Sequence, residues 1–120
     1  MKFTLLVLCL NEIDCLKAIL PRIDKTCTDQ ILLVDGGSTD GSIEYAENQG
    51  LDILRQKGKG IIAGIKEGIE AAEGDVIILF TPDGNMIPKK LPELVTKMKE
   101  GYDMVCVSRY AKGQKVKTIL

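Results

Sequence analysis

Apolar runs alternate with helix-compatible segments along the whole chain. Continuous apolar runs of four to eight residues are typical of strands that are covered on both faces of a sheet. The pattern predicts five strands, at Phe3–Leu10, Gln30–Val34, Leu51–Arg55, Asp75–Phe80 and Met104–Val107.

Four helices are predicted between these strands. Asn11 is a suitable N-cap for a helix over Glu12–Leu20, which Pro21 should end. Ser38 or Thr39 can cap a second helix that runs to about Asn48. Two further segments show one apolar stripe at helical spacing: Ile62, Ile65, Ile69 and Ala72 in one, and Leu91, Leu94, Val95 and Met98, after Pro88, in the other.

The resulting order, βαβαβαβαβ, predicts an α/β fold. Strands that alternate with helices form a mostly parallel sheet, and right-handed crossovers place helices on both faces to give a three-layer sandwich. The 120 residues suit a single domain over 1–120, with no linker or repeat.

Composition narrows the functional classes. With 16 basic and 17 acidic residues the net charge is −1, which argues against a nucleic-acid partner. The basic stretch Arg109–Lys117 is either a solvated tail or a membrane-facing patch. Four cysteines without a CxxC pair, and no histidine, argue against a zinc site and suit a reducing cytosol. We therefore expect a cytoplasmic protein. If the basic stretch faces a membrane, the protein associates with the cytoplasmic face of that membrane.

The N-terminal segment has some features of a signal peptide. One lysine precedes an apolar run, but Asn11 and Glu12 cut the run off and no small-residue cleavage site follows. We expect Met1–Leu10 to form a buried strand. No apolar stretch in the sequence approaches the roughly 20 residues that a membrane span needs.

Unusual polar residues follow each predicted strand. In parallel α/β sheets, ligands bind beyond the carboxyl ends of the strands, so these residues should line one rim. Asp35 can accept hydrogen bonds from a base N–H or a ribose hydroxyl, and Glu12 can act in the same way. Alternatively, Asp35 only forms a turn and Glu12 only favours a helix dipole.

Two further clusters on this rim suit a diphosphate and a metal. Gly58-Lys59-Gly60 offers backbone N–H groups and a cation beside a helix start, which favours diphosphate binding; otherwise it is a flexible connection. Asp83 and Asn85 offer oxygen ligands for Mg²⁺ or Mn²⁺, unless they simply form a turn.

The chain resembles the inverting family 2 glycosyltransferases of GT-A fold. Within that family it is most similar to the dolichyl-phosphate-mannose-synthase-like branch. The resemblance covers essentially the whole chain and is most specific at its second motif. The matching stretches are Leu10-Asn11-Glu12, Val34 to Ser42, Lys59-Gly60 with the following helix, Glu73-Gly74-Asp75, Pro82 to Asn85, and Ser108-Arg109-Tyr110.

This resemblance implies a nucleotide-sugar-binding domain, the N-terminal half of a GT-A fold. Leu10, Glu12 and Asp35 would contact the nucleoside, and Asp83 with Asn85 the metal. The donor would be a UDP- or GDP-sugar. The acceptor would be a polyprenyl phosphate or a saccharide.

Two departures from the family's pattern bear on function. Its metal-binding turn usually reads Asp-x-Asp, whereas Thr81 stands at the first position here, which should weaken metal binding. The chain is about half the usual length of the catalytic domain, and no acidic residue follows Asp103, so no general base is assigned. Three explanations stay open: a truncated chain, an acceptor half from another chain or a second copy, or binding without catalysis.

Other functional classes fit less of the sequence. Gly58-x-Gly60-x-x-Ala63, with Asp83 after the next strand, resembles a dinucleotide fingerprint of an NAD-binding Rossmann-type domain, but it follows the third strand instead of the first. A receiver domain would need a phosphorylatable Asp where Gln56-Lys57 stands. A non-catalytic nucleotide-sugar-binding relative is favoured by Thr81 and the short chain.

Overall fold

The described residues are built around a parallel sheet of four strands. The computed structural model describes residues 1–81 and 88–102. Within these ranges the strands are β1 (Phe3–Cys9), β2 (Gln30–Asp35), β3 (Asp52–Arg55) and β4 (Val76–Phe80), in the order β3-β2-β1-β4. All three pairings are parallel, which confirms the predicted α/β class. The fifth predicted strand, Met104–Val107, lies outside the described residues.

The register of the sheet brings the strand ends together. Cys9 at the end of β1 pairs with Asp35 at the end of β2, and Asp35 pairs in turn with Arg55 of β3. On the other side of β1, Val7 pairs with Phe80 of β4. The residues that follow the four strands therefore share one edge of the sheet, as the strand order predicts.

In the described part of the chain, three helices cover one face of the sheet and one covers the other. The helices are α1 (Ile13–Ile19), α2 (Ser42–Asn48), α3 (Ile61–Ala71) and α4 (Leu91–Lys99), with short 3₁₀ turns at Leu20–Arg22, Lys25–Cys27 and Pro88–Lys90. Residues of α1, α2 and α4 share the larger apolar core with alternate strand positions such as Leu5 and Val7. The intervening positions, Leu6, Leu32 and Val34, form a smaller core on the opposite face. Among the described helices, none is long and apolar enough to cross a bilayer.

Helix α3 lies on the sheet through glycines and not through its isoleucine stripe. Gly64 and Gly68 are its buried residues, whereas Ile62 is 75% exposed and Ile69 49% exposed. A Cβ at Gly68 would meet Leu6 Cδ1 at 2.6 Å and Val34 Cγ2 at 2.9 Å, so only glycine permits this approach. The helix was predicted correctly, but its apolar stripe is not the face that packs on the sheet.

The starts of α1 and α2 also differ from the prediction. Asn11 has a φ of 51° and precedes the N-cap position, which Glu12 occupies without a side-chain cap. Helix α2 begins at Ser42 after Gly41, later than the predicted caps Ser38 and Thr39. All three predicted caps are wrong because their polar groups join the two loops to each other.

Candidate functional site

A cavity of about 240 Å³ opens at the carboxyl edge of the sheet. Its lining comes from the ends of all four strands or the residues that follow them, and from the start of α3. The lining residues are Leu8, Cys9, Leu10, Glu12, Val34, Gly36, Gln56, Gly60, Ile61 and Thr81. The predicted residues Leu10, Glu12 and Gly60 therefore come together in one cavity.

Asp35 lies at the end of β2, between the lining residues Val34 and Gly36. Its Oδ2 accepts hydrogen bonds from the backbone N–H groups of Gly37 at 2.9 Å and Ser38 at 2.7 Å. The side chain is only 1% exposed. Its Oδ1 is buried and has no hydrogen-bond partner among the described residues. An unpaired carboxylate oxygen is costly in a folded protein, so a hydrogen-bond donor at this atom would be stabilising.

The loops after β1 and β2 are joined by side chain to backbone hydrogen bonds. Asn11 Oδ1 accepts from the N–H of Thr39 at 2.8 Å, and Ser38 Oγ accepts from the N–H of Asn11 at 2.8 Å. Asp40 accepts from the N–H of Ile13 at 3.0 Å and from Ser42. These bonds hold Glu12 and the Asp35 turn at fixed relative positions on the rim.

The loop after β3 is held from both sides by two polar side chains. Gln56 Nε2 donates to the carbonyls of Gly58 and Gly60, each at 2.8 Å. The carboxylate of Glu67, on α3, accepts from the N–H groups of Lys57 at 2.8 Å and Gly58 at 2.9 Å. The prediction that the Gly58 amide is available to a diphosphate is therefore wrong, because Glu67 already occupies it.

Lys59 stands at the tip of this loop. It is exposed and is not among the residues that line the cavity, although the neighbouring Gly60 is. The φ of Gly60 is +91°, a conformation that side chains other than glycine rarely adopt, and it leads directly into α3. The structure thus places the backbone at Gly60 in the cavity and leaves the Lys59 ammonium free to reach a ligand from the outside.

Cys9 is a buried thiol in the cavity wall, as its apolar context predicts. Burial is the main cause that raises the pKa of Cys9 above its ordinary value of 9.0. The protonated thiol is a poor nucleophile and a poor metal ligand. We therefore assign Cys9 to the wall of the cavity.

The predicted metal ligands Asp83 and Asn85 lie outside the described residues. Thr81, which ends the described part of this segment, lines the cavity. Within residues 1–81 and 88–102, no three carboxylate, thiol or imidazole side chains come close enough to hold a metal ion together. Glu12 and Thr81, which line the cavity, carry oxygen groups of the hard type that suits Mg²⁺ or Mn²⁺.

Several residues of the cavity were not singled out by the sequence patterns. Gln56 and Ile61 follow from position, since one directly follows β3 and the other begins α3. Leu8, Cys9 and Val34 belong to apolar strands, and nothing in their sequence context separates them from core residues. Glu67, which fixes the Lys57–Gly60 loop, carries no sequence signal because its role depends on a tertiary contact.

A family profile and the sequences of related proteins point to the same family. The profile of Glycosyl transferase family 2 matches residues 4–119. A dolichol-phosphate mannosyltransferase of Pyrococcus furiosus is 32% identical over 97% of this chain and 35% of its own length. An undecaprenyl-phosphate 4-deoxy-4-formamido-L-arabinose transferase of Klebsiella pneumoniae is 36% identical over 79% of this chain and 33% of its own length.

Solved structures give the same fold. Glucosyl-3-phosphoglycerate synthase of Mycobacterium tuberculosis, in complex with phosphoglyceric acid, has a TM-score of 0.75 at 20% identity, over 87% of this chain and 41% of its own. The same enzyme with Mn²⁺, UDP and glucosyl-3-phosphoglycerate has a TM-score of 0.69, over 81% of this chain and 39% of its own. These likenesses confirm the predicted GT-A fold.

The chain spans about a third of the length of the curated relatives that it matches. The dinucleotide-binding alternative is set aside, because the family profile covers its glycine motif together with the Asp35 motif that it left unexplained. On the family profile and the relatives together, the chain belongs to glycosyl transferase family 2, within the branch that contains the polyprenyl-phosphate sugar transferases.

Proposed function

We propose that this chain is the donor-binding part of a glycosyltransferase that uses a nucleoside-diphosphate sugar, with UDP as the nucleotide. The buried, unpaired Oδ1 of Asp35 at the cavity edge is the observation that carries this proposal. A nucleobase N–H or a ribose hydroxyl would supply the donor that this oxygen lacks. The structural relatives crystallised with UDP or UDP-glucose support uridine as the base.

The geometry around Asp35 suits a planar or polyhydroxylated ligand. Gly36 lines the cavity and leaves the approach to the carboxylate without a side chain. Of the two carboxylate oxygens, only Oδ2 bonds to the turn, so Oδ1 can accept a donor from a ligand without loss of the bonds to Gly37 and Ser38. Because Asp35 is 1% exposed, a nucleoside would need a shift of the Gly36-Gly37 peptide to reach Oδ1, and two glycines would ease such a shift.

The diphosphate would lie near Gly60 and the start of α3. Lys59 can reach it as a mobile cation, and the first-turn N–H groups of α3 favour negative charge. Asp83 and Asn85, with Thr81, are the proposed holders of a divalent ion, as suggested by relatives crystallised with Mn²⁺. That ion would neutralise the charge that develops on the leaving nucleotide. Thr81 in place of an acidic residue should make the ion easier to remove.

The proposed acceptor is a polyprenyl phosphate, as the names of the sequence relatives suggest. A phosphate monoester is largely ionised at neutral pH, since its second pKa is about 6. Its oxygen can therefore attack the sugar carbon without first losing a proton to the protein. A saccharide hydroxyl would need a general base for the same step. A lipid acceptor also requires that the whole enzyme work at a membrane surface.

Thr81 favours a second candidate function, a nucleotide-sugar-binding relative without turnover. It stands in the cavity where an acidic residue would strengthen metal binding. Such a protein would bind the donor but would not release UDP when an acceptor is added. A coupled assay for UDP release, with UDP-sugar and a short polyprenyl phosphate, separates the two functions.

The Asp35→Asn variant tests the donor site directly. An asparagine can keep its carbonyl toward Gly37 and Ser38 while its amide replaces the unpaired acceptor with a donor. Hydrogen bonds to charged groups contribute about 1.5–3 kcal/mol, so the variant should bind both UDP and uridine about tenfold more weakly or worse. Asp14→Asn, on the exposed side of α1, is the matched control. Unchanged affinity of Asp35→Asn for both ligands, measured by calorimetry, would overturn the assignment.

A further inference from the structure

The loop Lys57–Gly60 is shaped by a carboxylate on a neighbouring helix. Both carboxylate oxygens of Glu67 accept hydrogen bonds from backbone N–H groups, Oε1 from that of Lys57 and Oε2 from that of Gly58. Glu67 lies ten residues further along the chain from Lys57, in the second turn of α3. The contact therefore joins the loop after β3 to the body of the helix that the loop leads into.

Charge and packing both favour this contact. The two backbone hydrogen bonds, that from Lys57 first, lower the pKa of Glu67 below its ordinary value of 4.5. The group is therefore ionised at neutral pH, and a charged acceptor makes stronger hydrogen bonds than a neutral one. A Cβ at Gly58 would meet Ala63 Cβ at 2.9 Å and Glu67 Oε2 at 3.3 Å, so the loop lies directly on the helix.

Gln56 completes the hold on the loop from the cavity side. Its amide donates to the carbonyls of Gly58 and Gly60, and its own N–H donates to Asp35 O at 2.9 Å. Gly58 is thus fixed at its N–H by Glu67 and at its carbonyl by Gln56. The backbone on both sides of Lys59 is therefore fixed, and the loop is tied to the strand that ends at Asp35.

We infer that Glu67 is a positioning residue that orders the Lys57–Gly60 loop for the diphosphate of the donor. It would act through the loop, because its carboxylate faces backbone amides and would repel a phosphate. It also denies the amides of Lys57 and Gly58 to the diphosphate, which directs the phosphates toward Gly60 and Lys59. This inference rests on the proposed donor site, and it assigns the ordering of its phosphate side to a residue outside the cavity.

The test compares Glu67→Gln with Glu70→Gln, which removes the same charge from an exposed position on the same helix. In Glu67→Gln, the side-chain NH2 group replaces one of the two acceptor oxygens, so one of the two backbone N–H groups faces a donor and loses its hydrogen bond. Amide hydrogen exchange of the ligand-free protein, read by NMR, should accelerate at Lys57 and Gly58 in this variant alone. Affinity for UDP should fall about fivefold to tenfold while affinity for uridine changes less than about twofold.

Glu67→Asp serves as a second variant. It keeps the charge but shortens the side chain, so it should retain one of the two bonds and lose less UDP affinity than Glu67→Gln. Equal losses for UDP and uridine would indicate general loosening and overturn the inference. Unchanged UDP affinity in Glu67→Gln, with normal binding by the wild type, would overturn it and leave the proposed function standing. A wild type that binds neither ligand would overturn the proposed function, and the inference with it.

Discussion

Asp40 accepts a hydrogen bond from the backbone N–H of Ile13 at 3.0 Å, across 27 residues of sequence. Its other oxygen accepts from the N–H and the hydroxyl of Ser42 at 3.0 and 2.6 Å. One carboxylate therefore satisfies the first residues of both α1 and α2, whose N-cap positions provide no side-chain cap of their own. Asp40 therefore joins the starts of the two helices, in addition to the bonds that Asn11 and Ser38 make between the same loops.

Asp40→Asn should lower thermal stability in a pH-dependent way. The hydrogen bond from Ser42 is the main cause that lowers the pKa of Asp40 below 3.8 in the folded protein. A group with a depressed folded pKa stabilises the protein fully above its unfolded pKa and loses that effect as pH falls through the folded value. The difference in Tm between wild type and variant should be largest near neutral pH and shrink below pH 3.8. Asp14→Asn is the control, and a Tm gap that stays constant from neutral to acid pH would contradict the account.

Asn11 should tolerate glycine better than alanine. Its φ of 51° is left-handed, which costs most residues roughly 1–2 kcal/mol but costs glycine nothing. Both substitutions remove the hydrogen bond that Asn11 accepts from the N–H of Thr39. The difference in stability between the two variants therefore reports the cost of the left-handed backbone. We expect Asn11→Ala to unfold at lower denaturant concentration than Asn11→Gly. Equal midpoints, or a more stable alanine variant, would show that the backbone at this position is not constrained.

Replacement of Gly68 by alanine, which adds one methyl group, should destabilise the protein. An added methyl group meets Leu6 and Val34 inside van der Waals distance, and overpacking of this kind costs about 1–3 kcal/mol. Gly68→Ala should therefore destabilise the protein even though alanine is the better helix former. Ile62→Ala, on the exposed side of the same helix, should change the free energy of unfolding by less than about 0.5 kcal/mol. Chemical denaturation of both variants measures these free energies of unfolding. A larger loss of stability in Ile62→Ala than in Gly68→Ala would indicate that the isoleucine stripe is the buried face.

Strands β1, β2 and β4 were predictable from the sequence because each contains a continuous apolar run. Such runs need no knowledge of their neighbours, and the described strands match their predicted positions within one or two residues. The buried face of α3 was not predictable in this way. Periodicity marks where apolar side chains recur, but the helix approaches Leu6 and Val34 so closely that only glycine fits between. The requirement for close approach outweighs the hydrophobic pattern.

The candidate site was predictable in part for a related reason. Leu10, Glu12, Asp35 and Gly60 follow strand ends, and a parallel sheet brings strand ends to one edge whatever its detailed packing. The roles of Gln56 and Glu67 depend instead on how a loop folds back onto a helix. The same holds for Asn11, whose side chain was expected to cap its own helix but binds Thr39 of the next loop. Local motifs do not determine such contacts.

Calorimetric titration of the protein with UDP, in Mn²⁺ and in chelator, tests the proposed donor site, with GDP as the comparison. We expect UDP to bind in Mn²⁺, chelator to weaken its binding by about tenfold or more, and GDP, on the proposed choice of uridine as the base, to bind more weakly than UDP. Absence of UDP binding in both conditions would contradict the claim that this chain carries a nucleotide-sugar donor site.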